Sequence, residues 1–443
     1  MNIAIIGYGI EGRAALTYYE KTGANITVCD QNTDISLPKN VGRQLGPEYL
    51  KNLDRFDIVF RSAGIPPSVI LAENPHIAPK ITSTINEFLR VCPTKNVIGV
   101  TGTKGKGTTS TLIAKMLEAA GKDIHLGGNI GISAFDLLPH LTANSWVVLE
   151  LSSFQLIDLR RSPHIAVCLM MTPEHLNWHA DMAEYTAAKS NLFKNQIAND
   201  IAIYFAYNEL SRQIASVGAG TKIPYFRTPG AEVVDGSITI DSKIICTTNE
   251  LKLLGAHNWQ NACAAVTAVW QITQDIDAMR SVLTTFSGLE HRLELVRELD
   301  GVKFYDDSFA TTPETVQVAI EAFAAPKVII LGGSDKGADF GKLAETVATS
   351  NVRRVILIGN PSSPNYNITA PAIEAALRAQ NFDKITSLVR PGGPTMTEIV
   401  ETAKSVARPG DVVLLSTGSA SFDMFHDYKD RANQFKQAVL ALA

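Results

Sequence analysis

The chain has 443 residues and a formal net charge of −4, enough for about two to four domains at roughly 100–200 residues each. Its basic residues are scattered rather than massed, which excludes a protein that coats nucleic acid or an anionic membrane through one basic face. Five widely spaced cysteines without a Cys-x-x-Cys pair exclude a disulfide framework or a cysteine zinc site and suit reduced thiols in the cytoplasm.

Taken in chain order, the apolar opening Asn2–Ile6 has no basic segment before it and no cleavage pattern after it. It is expected to be a first strand rather than a signal peptide. Gly7-x-Gly9-x-x-Gly12 follows, then a helical stretch over 13–22. A second strand over 25–29 ends at Asp30, and a third over 57–60 runs into a Ser-Ala-Gly-Ile-Pro-Pro turn at 62–67. Strand, glycine turn, helix and a later acid suggest a nucleotide-shaped pocket with Asp30 at the ribose. The pattern alone does not choose NAD over another nucleotide.

A second section opens with a strand over 96–100 and continues with strands over 146–151, 165–171 and Ile201–Phe205, ending near Gly288. A third carries strands over 302–305, Lys327–Leu331, 354–358 and Val412–Leu415, each followed by Gly, Ser or Asp. Short apolar runs alternating with longer amphipathic ones predict parallel α/β architecture. The expected division is 1–91, 92–288 and 289–443. No run reaches the roughly 18 apolar residues of a membrane-spanning helix.

The densest chemistry lies in Thr101-Gly102-Thr103-Lys104-Gly105-Lys106-Gly107-Thr108-Thr109, between the strand ending at Val100 and a helical stretch over 110–120. Glycines let backbone N–H groups converge on phosphate oxygens, and a helix N-terminus adds partial positive charge. Lys106 would reach the β- and γ-phosphates of ATP. The strict Gly-x4-Gly-Lys-Ser/Thr pattern is not met: Val100 stands at the first glycine and Gly107 at the hydroxyl. Thr108 supplies a hydroxyl one residue later.

Glu150 ends an apolar strand in Leu149-Glu150-Leu151-Ser152-Ser153-Phe154-Gln155, a fitting place for a Mg²⁺ ligand. His175 follows the next strand and reads as a second ligand or as a satisfied surface histidine. Lys189 reads alone as a solvated helix lysine. Asn258 and Asn261, at i and i+3, put two amides on one helix face, where they could meet an adenine edge or cap the helix. Asp306 and Asp307 could serve a metal, a base or a turn.

Together these segments resemble the Mur ligases, over nearly the whole chain and in the family's order. The resemblance rests on the glycine turn, the loop at 101–108, Gly128-Asn129-Ile130-Gly131, Leu149 to Gln155, Glu174-His175, Ala187-Ala188-Lys189, His257 to Asn261, Gly288-Leu289-Glu290-His291-Arg292, Asp306 to Thr312, Gly332 to Phe340 and Leu414 to Asp423. It implies a three-domain α/β enzyme: a Rossmann-like first domain holding a UDP-linked substrate, a central P-loop-type ATPase domain and a Rossmann-like third domain bringing the amino acid. The activity implied is ATP-dependent addition of D-glutamate to UDP-N-acetylmuramoyl-L-alanine through an acyl phosphate, in peptidoglycan precursor synthesis. A monomer in the cytoplasm, with no nucleic-acid or membrane partner, is expected.

Residue by residue, the resemblance implies that Gly102, Thr103, Lys104, Gly105, Lys106, Gly107 and Thr108 bind ATP, with Asn258, Asn261, Arg292 and Asp307. Thr108, Glu150, His175 and a carbamylated Lys189 would hold Mg²⁺, two ions in all, and Lys106, His175 and Lys189 would serve catalysis. Gly9, Ile10, Glu11, Asp30, Gln31 and Asn129 would hold the UDP substrate. Thr311, Lys336, Ser421, Phe422 and Tyr428 would cradle glutamate. Two residues depart from the family pattern: Gly107 replaces a common Ser, and Phe309 stands where D-glutamate adders carry Lys. The readings carried beside this one are an L-glutamate-adding or other Mur-type ligase, a folylpolyglutamate-type synthase and a nicotinamide-dependent oxidoreductase.

Overall fold

The computed structural model describes residues 1–175, 178–253, 255–335, 337–364 and 366–443. The chain folds into two compact units, Met1–Phe286 and Ser287–Ala443, and both are α/β. No helix among the described residues is long and apolar enough to cross a membrane. All five cysteines are free thiols.

The first unit begins with a parallel sheet of β1 (Asn2–Ile6), β2 (Asn25–Asp30), β3 (Gly42–Leu45), β4 (Ile58–Arg61) and β5 (Ile81–Thr82), in the order β3-β2-β1-β4-β5. Ile3, Ala4, Ile5 and Ile6 are all fully buried, as a strand covered on both faces requires. The strand order reverses at β1, so the turn after it lies at a topological switch point, where open α/β sheets bind ligands. Gly7 there has φ +83°, and a Cβ on Gly12 would lie 2.0 Å from the Gly7 carbonyl oxygen. Only glycine permits that closeness.

A second parallel sheet holds β6 (Val97–Thr101), β7 (Ile124–Gly128), β8 (Trp146–Glu150), β9 (Ile165–Cys168), β10 (Ile201–Phe205) and β11 (Thr221–Tyr225), ordered β11-β10-β9-β6-β8-β7. The fully buried β6 lies between β9 and β8 and feeds the helix Lys106–Ala119. That helix starts four residues before the expected 110. Gly107 and the four β-branched or small polar residues after it lower its propensity, yet the Thr109 N–H donates to the Gly105 carbonyl at 2.9 Å. β9 is shorter than the expected 165–171: the Leu169 N–H still extends the ladder to the Thr101 carbonyl of β6 at 2.9 Å, but Met170 and Met171 turn to other partners, the Thr103 N–H and both ends of the Asn208 amide. A small antiparallel sheet follows, with β12 (Glu232–Val234), β13 (Ser237–Ile240) and β14 (Lys243–Thr247). The helix His257–Trp270 then packs along Lys106–Ala119.

The second unit is one six-stranded sheet of β15 (Glu294–Leu299), β16 (Val302–Asp306), β17 (Lys327–Leu331), β18 (Val352–Leu357), β19 (Ile385–Ser387) and β20 (Val412–Leu415), ordered β15-β16-β20-β17-β18-β19. Only β15 runs antiparallel to its neighbour. Val413, Leu414 and Leu415 are fully buried in β20, and the helices cover both faces.

Candidate active site

The loop after β6 is built by two left-handed glycines and by hydrogen bonds to three other segments. Gly102 has φ +144°, and a Cβ there would lie 2.6 Å from Leu169 Cβ. The Thr103 N–H donates to the Met170 carbonyl at 2.9 Å, and its hydroxyl bridges the Thr172 carbonyl and the Tyr185 hydroxyl, each at 3.0 Å. Lys106 curls back so that Nζ donates to the carbonyls of Gly102 at 3.2 Å and Thr103 at 3.0 Å. Lys104 pairs with Glu174 at 2.7 Å. Thr108 is buried in the first turn of the helix. Gly105 caps that helix at φ +86°, against Asn261. Asn261 Nδ2 donates to Asn258 Oδ1 at 2.8 Å, so the two amides do share a helix face and lie beside the loop.

Lys189 reaches the same loop from the helix Met182–Lys194. It is 1% exposed. Its Nζ donates to the Gly102 carbonyl at 2.9 Å and to Thr101 Oγ1 at 3.2 Å. Two lysines thus converge on one carbonyl. Burial, and after it the repulsion of Lys106, pulls the Lys189 ammonium down to about 7. Such an amine gives up its proton more readily than an exposed lysine. The bland reading of Lys189 as a solvated lysine is overturned by its position on the buried face with Tyr185, Ala188 and Leu192.

Glu150 ends β8 and is buried. Among the described residues its carboxylate accepts one hydrogen bond, from Asn129 Nδ2 at 3.0 Å, and the Asn129 N–H also donates to the Glu150 carbonyl at 2.9 Å. A buried carboxylate with acceptor capacity to spare, at a strand end beside a phosphate loop, fits a hard cation. His175 lies on the exposed side at φ +59°, 3.5 Å from Glu174. Partial desolvation, helped by the charges of Lys106 and Lys189, holds its imidazole below the ordinary range, against the pull of Glu174. Burial also tends to raise the Glu174 carboxyl, but the Lys104 hydrogen bond and charge hold it low.

The glycine turn and this site touch the same short segment. Asp30 accepts the Tyr8 N–H at 2.7 Å and the Asn32 N–H at 2.8 Å, which fixes residues on both sides of the turn. Gly9 and Ile10 are exposed at the tip, and Gln31 is exposed beside Asp30. Glu11 accepts the Ala63 N–H at 2.7 Å and Gln155 Nε2 at 2.9 Å. The Gln155 and Ser152 side chains form a capping box on the helix Ser153–Leu156. Arg61, fully buried, forks onto Asp158 with two 3.0 Å bonds and donates to the carbonyls of Ser62, Ala63, Ile65 and Phe154.

In the second unit the paired acids part company. Asp306 takes His291 Nδ1 at 2.8 Å, while Asp307 accepts the Ser416 hydroxyl at 2.6 Å and the Leu293 N–H at 3.2 Å. Burial pushes the Asp307 carboxyl up to about 7. His291, Glu294 and Asp306 lie close enough to share a cation, but the Lys436 ammonium already sits 2.8 Å from Glu294. Arg292 lies with its guanidinium carbon 5.9 Å from the Phe309 ring centre, and Phe309 is edge-on to Tyr428 at 5.3 Å. Thr311 is half-buried, Ser421 buried and Phe422 exposed against Tyr366. Lys336 lies outside the described residues.

Two family descriptions match the chain: Mur ligase middle domain over residues 100–269, and Mur ligase, glutamate ligase domain, over 291–419. The chain is 36% identical over 455 residues to UDP-N-acetylmuramoylalanine--D-glutamate ligase from Clostridium kluyveri, covering 99% of this chain and 96% of that protein. The chain belongs to the Mur ligase family. The enzyme of the same name from Acetivibrio thermocellus is likewise 36% identical, over 458 residues, with the same coverage. Among solved structures, the MurF ligase of Thermotoga maritima, in complex with ADP, aligns with a TM-score of 0.59 at 18% identity, covering 100% of this chain and 95% of that one. At that identity the likeness concerns the fold.

Three features of this Mur ligase escaped the sequence reading. Arg61 and Asp158 carried no motif. His179 is 2% exposed and sits between Ser153 and Glu184. His291 is a buried partner of Asp306. Each depends on a partner distant in sequence, although His179, four residues after His175 and just before an Asp-capped helix, had a visible spacing.

Proposed function

We propose that this Mur ligase is an ATP-dependent C–N ligase that adds glutamate to UDP-N-acetylmuramoyl-L-alanine in peptidoglycan precursor synthesis. The observation that carries the reading is the convergence of Lys106 and Lys189 on one carbonyl of the phosphate loop. It occurs in a chain matched along 99% of its length by D-glutamate ligases.

In this reading residues 1–91 form a Rossmann-like domain for the UDP substrate, 92–288 the ATPase domain and 289–443 a Rossmann-like domain for the amino acid. A carboxylate is a poor acyl donor, so phosphoryl transfer from ATP first converts it to an acyl phosphate. The glutamate amine then attacks through a tetrahedral intermediate, and phosphate leaves. The loop at 102–108 cradles the phosphates, and Lys106 leaves its backbone carbonyls to neutralise charge on the transferring group. Asn258 and Asn261 read the adenine edge, and Arg292 and Asp307 reach ATP. Thr108, Glu150, His175 and a carbamylated Lys189 would hold two Mg²⁺ ions, which supply Lewis-acid neutralisation of phosphate charge. Carbamylation converts the near-neutral Lys189 amine into an anionic oxygen donor. Asn129, Gly9, Ile10, Glu11, Asp30 and Gln31 hold the UDP substrate. Thr311, Lys336, Ser421, Phe422 and Tyr428 hold glutamate. The enzyme acts as a cytoplasmic monomer without nucleic-acid or membrane partners.

The test is phosphate release from ATP with UDP-N-acetylmuramoyl-L-alanine and each glutamate enantiomer. D-glutamate-dependent release is expected. Because Phe309 presents a ring and no cation beside Tyr428, L-glutamate is the necessary second arm. Absence of release with both enantiomers rejects the substrate assignment.

A further inference from the structure

We propose that His179 is a positioning residue for the metal-binding end of the site, its imidazole fastening together the segments that carry Glu150 and Lys189 and its backbone holding the segment of His175. The inference rests on the reading of those three side chains as metal ligands.

Each ring nitrogen reaches a different segment. Nε2 lies 2.9 Å from Ser153 Oγ, at the start of the helix Ser153–Leu156, three residues after Glu150. Nδ1 lies 3.3 Å from Glu184 Oε2, in the first turn of the helix Met182–Lys194, which also presents Lys189. The backbone of the same residue closes the third link: its N–H donates to the His175 carbonyl at 3.0 Å. A carboxylate only accepts, so Nδ1 bears a proton, and in the neutral ring Nε2 accepts from the Ser153 hydroxyl. Glu184 Oε2 also accepts the Ala180 N–H at 2.8 Å.

The surroundings leave the ring little freedom. Trp178, Tyr185 and Phe154 enclose it, with ring centres 4.6, 5.4 and 5.8 Å away. Phe154 also packs on His175 at 4.8 Å. Thus the ring touches no reacting group itself, yet it ties the Glu150 segment to the Lys189 helix, and its backbone N–H holds the His175 segment. Metal–ligand distances tolerate only about 0.2 Å, and removing an outer-shell partner typically weakens metal binding about 10–100-fold.

The experiment uses the full-length protein and Mn²⁺ as a spectroscopic probe. Electron paramagnetic resonance measures Mn²⁺ affinity in the presence of ADP, and calorimetry measures ADP affinity without metal. His179→Ala is expected to weaken Mn²⁺ binding about tenfold or more, while metal-free ADP binding stays within about twofold. Glu184→Gln keeps an acceptor oxygen and is expected to retain most of the affinity. A folded His179→Ala protein with wild-type Mn²⁺ affinity overturns the proposal. If His179→Ala does not fold, Ser153→Ala decides, because it deletes one hydroxyl: weaker Mn²⁺ binding supports the role and unchanged binding overturns it. Glu150→Gln separates the two levels. Loss there with no loss at His179 defeats this inference alone, and no loss at either defeats the metal-ligand reading beneath it.

Discussion

Alanine at Gly105 would strike the loop at 102–108 and the Asn258–Asn261 amides, proposed above to bind the nucleotide, in one step. The residue holds φ +86°, and its new Cβ would fall 2.2 Å from Asn261 Oδ1 and 3.1 Å from Asn261 Cγ. Left-handed backbone costs an alanine about 1–2 kcal/mol. Moving Asn261 away breaks its 2.8 Å bond to Asn258, worth about 1 kcal/mol. The sum, about 2–3 kcal/mol, falls on groups assigned to the nucleotide, and each 1.4 kcal/mol is tenfold in affinity. Calorimetric titration with ADP should therefore show binding weakened about 30- to 100-fold. Gly9→Ala is the matched control for the same titration. It has φ −75° and no atom within 4 Å of the added Cβ, so its stability and ADP affinity should stay near wild type. ADP affinity within threefold of wild type in Gly105→Ala would refute the reasoning.

Lys106→Ala should abolish phosphate release while leaving the fold intact by circular dichroism; near-normal turnover removes the phosphate role from Lys106. Lys189→Ala should be inactive and regain part of its activity with added formate or acetate, and full activity without either would contradict the carbamate. Arg61→Ala leaves the half-buried Asp158 without its partner, together with four carbonyls. It should cost about 3–5 kcal/mol in urea unfolding, and a loss under 1 kcal/mol would show that the ion pair is dispensable. Asp307 has its folded pKa raised to about 7. Its stabilising contribution is therefore complete below the unfolded value near 4 and lost as pH rises towards 7. Asp307→Asn should gain on wild type across that window, by on the order of a few kcal/mol. Parallel pH profiles for the two proteins would contradict the assignment.

Much of the frame was readable in the sequence because β-strand burial writes itself as apolar runs. Asn2–Ile6 and Lys327–Leu331 are strands to the residue, and both are covered on two faces. The phosphate loop was readable because Gly102 and Gly105 must adopt positive φ, a demand that composition advertises. Element ends were less visible. β9 stops at Cys168 rather than Met171, where Met171 turns to the Asn208 amide, and no local pattern encodes a partner that far away. Lys189 looked solvated when read alone. Yet Tyr185, Ala188 and Leu192 recur at helical spacing around it, so the buried face was present in the sequence and was outweighed by the residue's charge. Asp306 and Asp307 looked like a pair, but at the end of a strand successive side chains point oppositely. One found a histidine and the other a serine.

The bonds joining the first two sheets span long stretches of chain. Arg61 and Asp158 are 97 residues apart, and Glu11 and Gln155 are 144 apart. Contacts of such separation form late in folding, because loop closure precedes any return from them. During synthesis the N-terminal sheet can complete all five strands while the Arg61 guanidinium still lacks its carboxylate. It gains that carboxylate only after β8 and the turn beyond it have emerged. The segment that completes this junction is the one that carries Glu150. The junction thus waits on residue 158: a chain ending before it holds the glycine turn and all five strands of the first sheet, but lacks the carboxylate that pairs with Arg61.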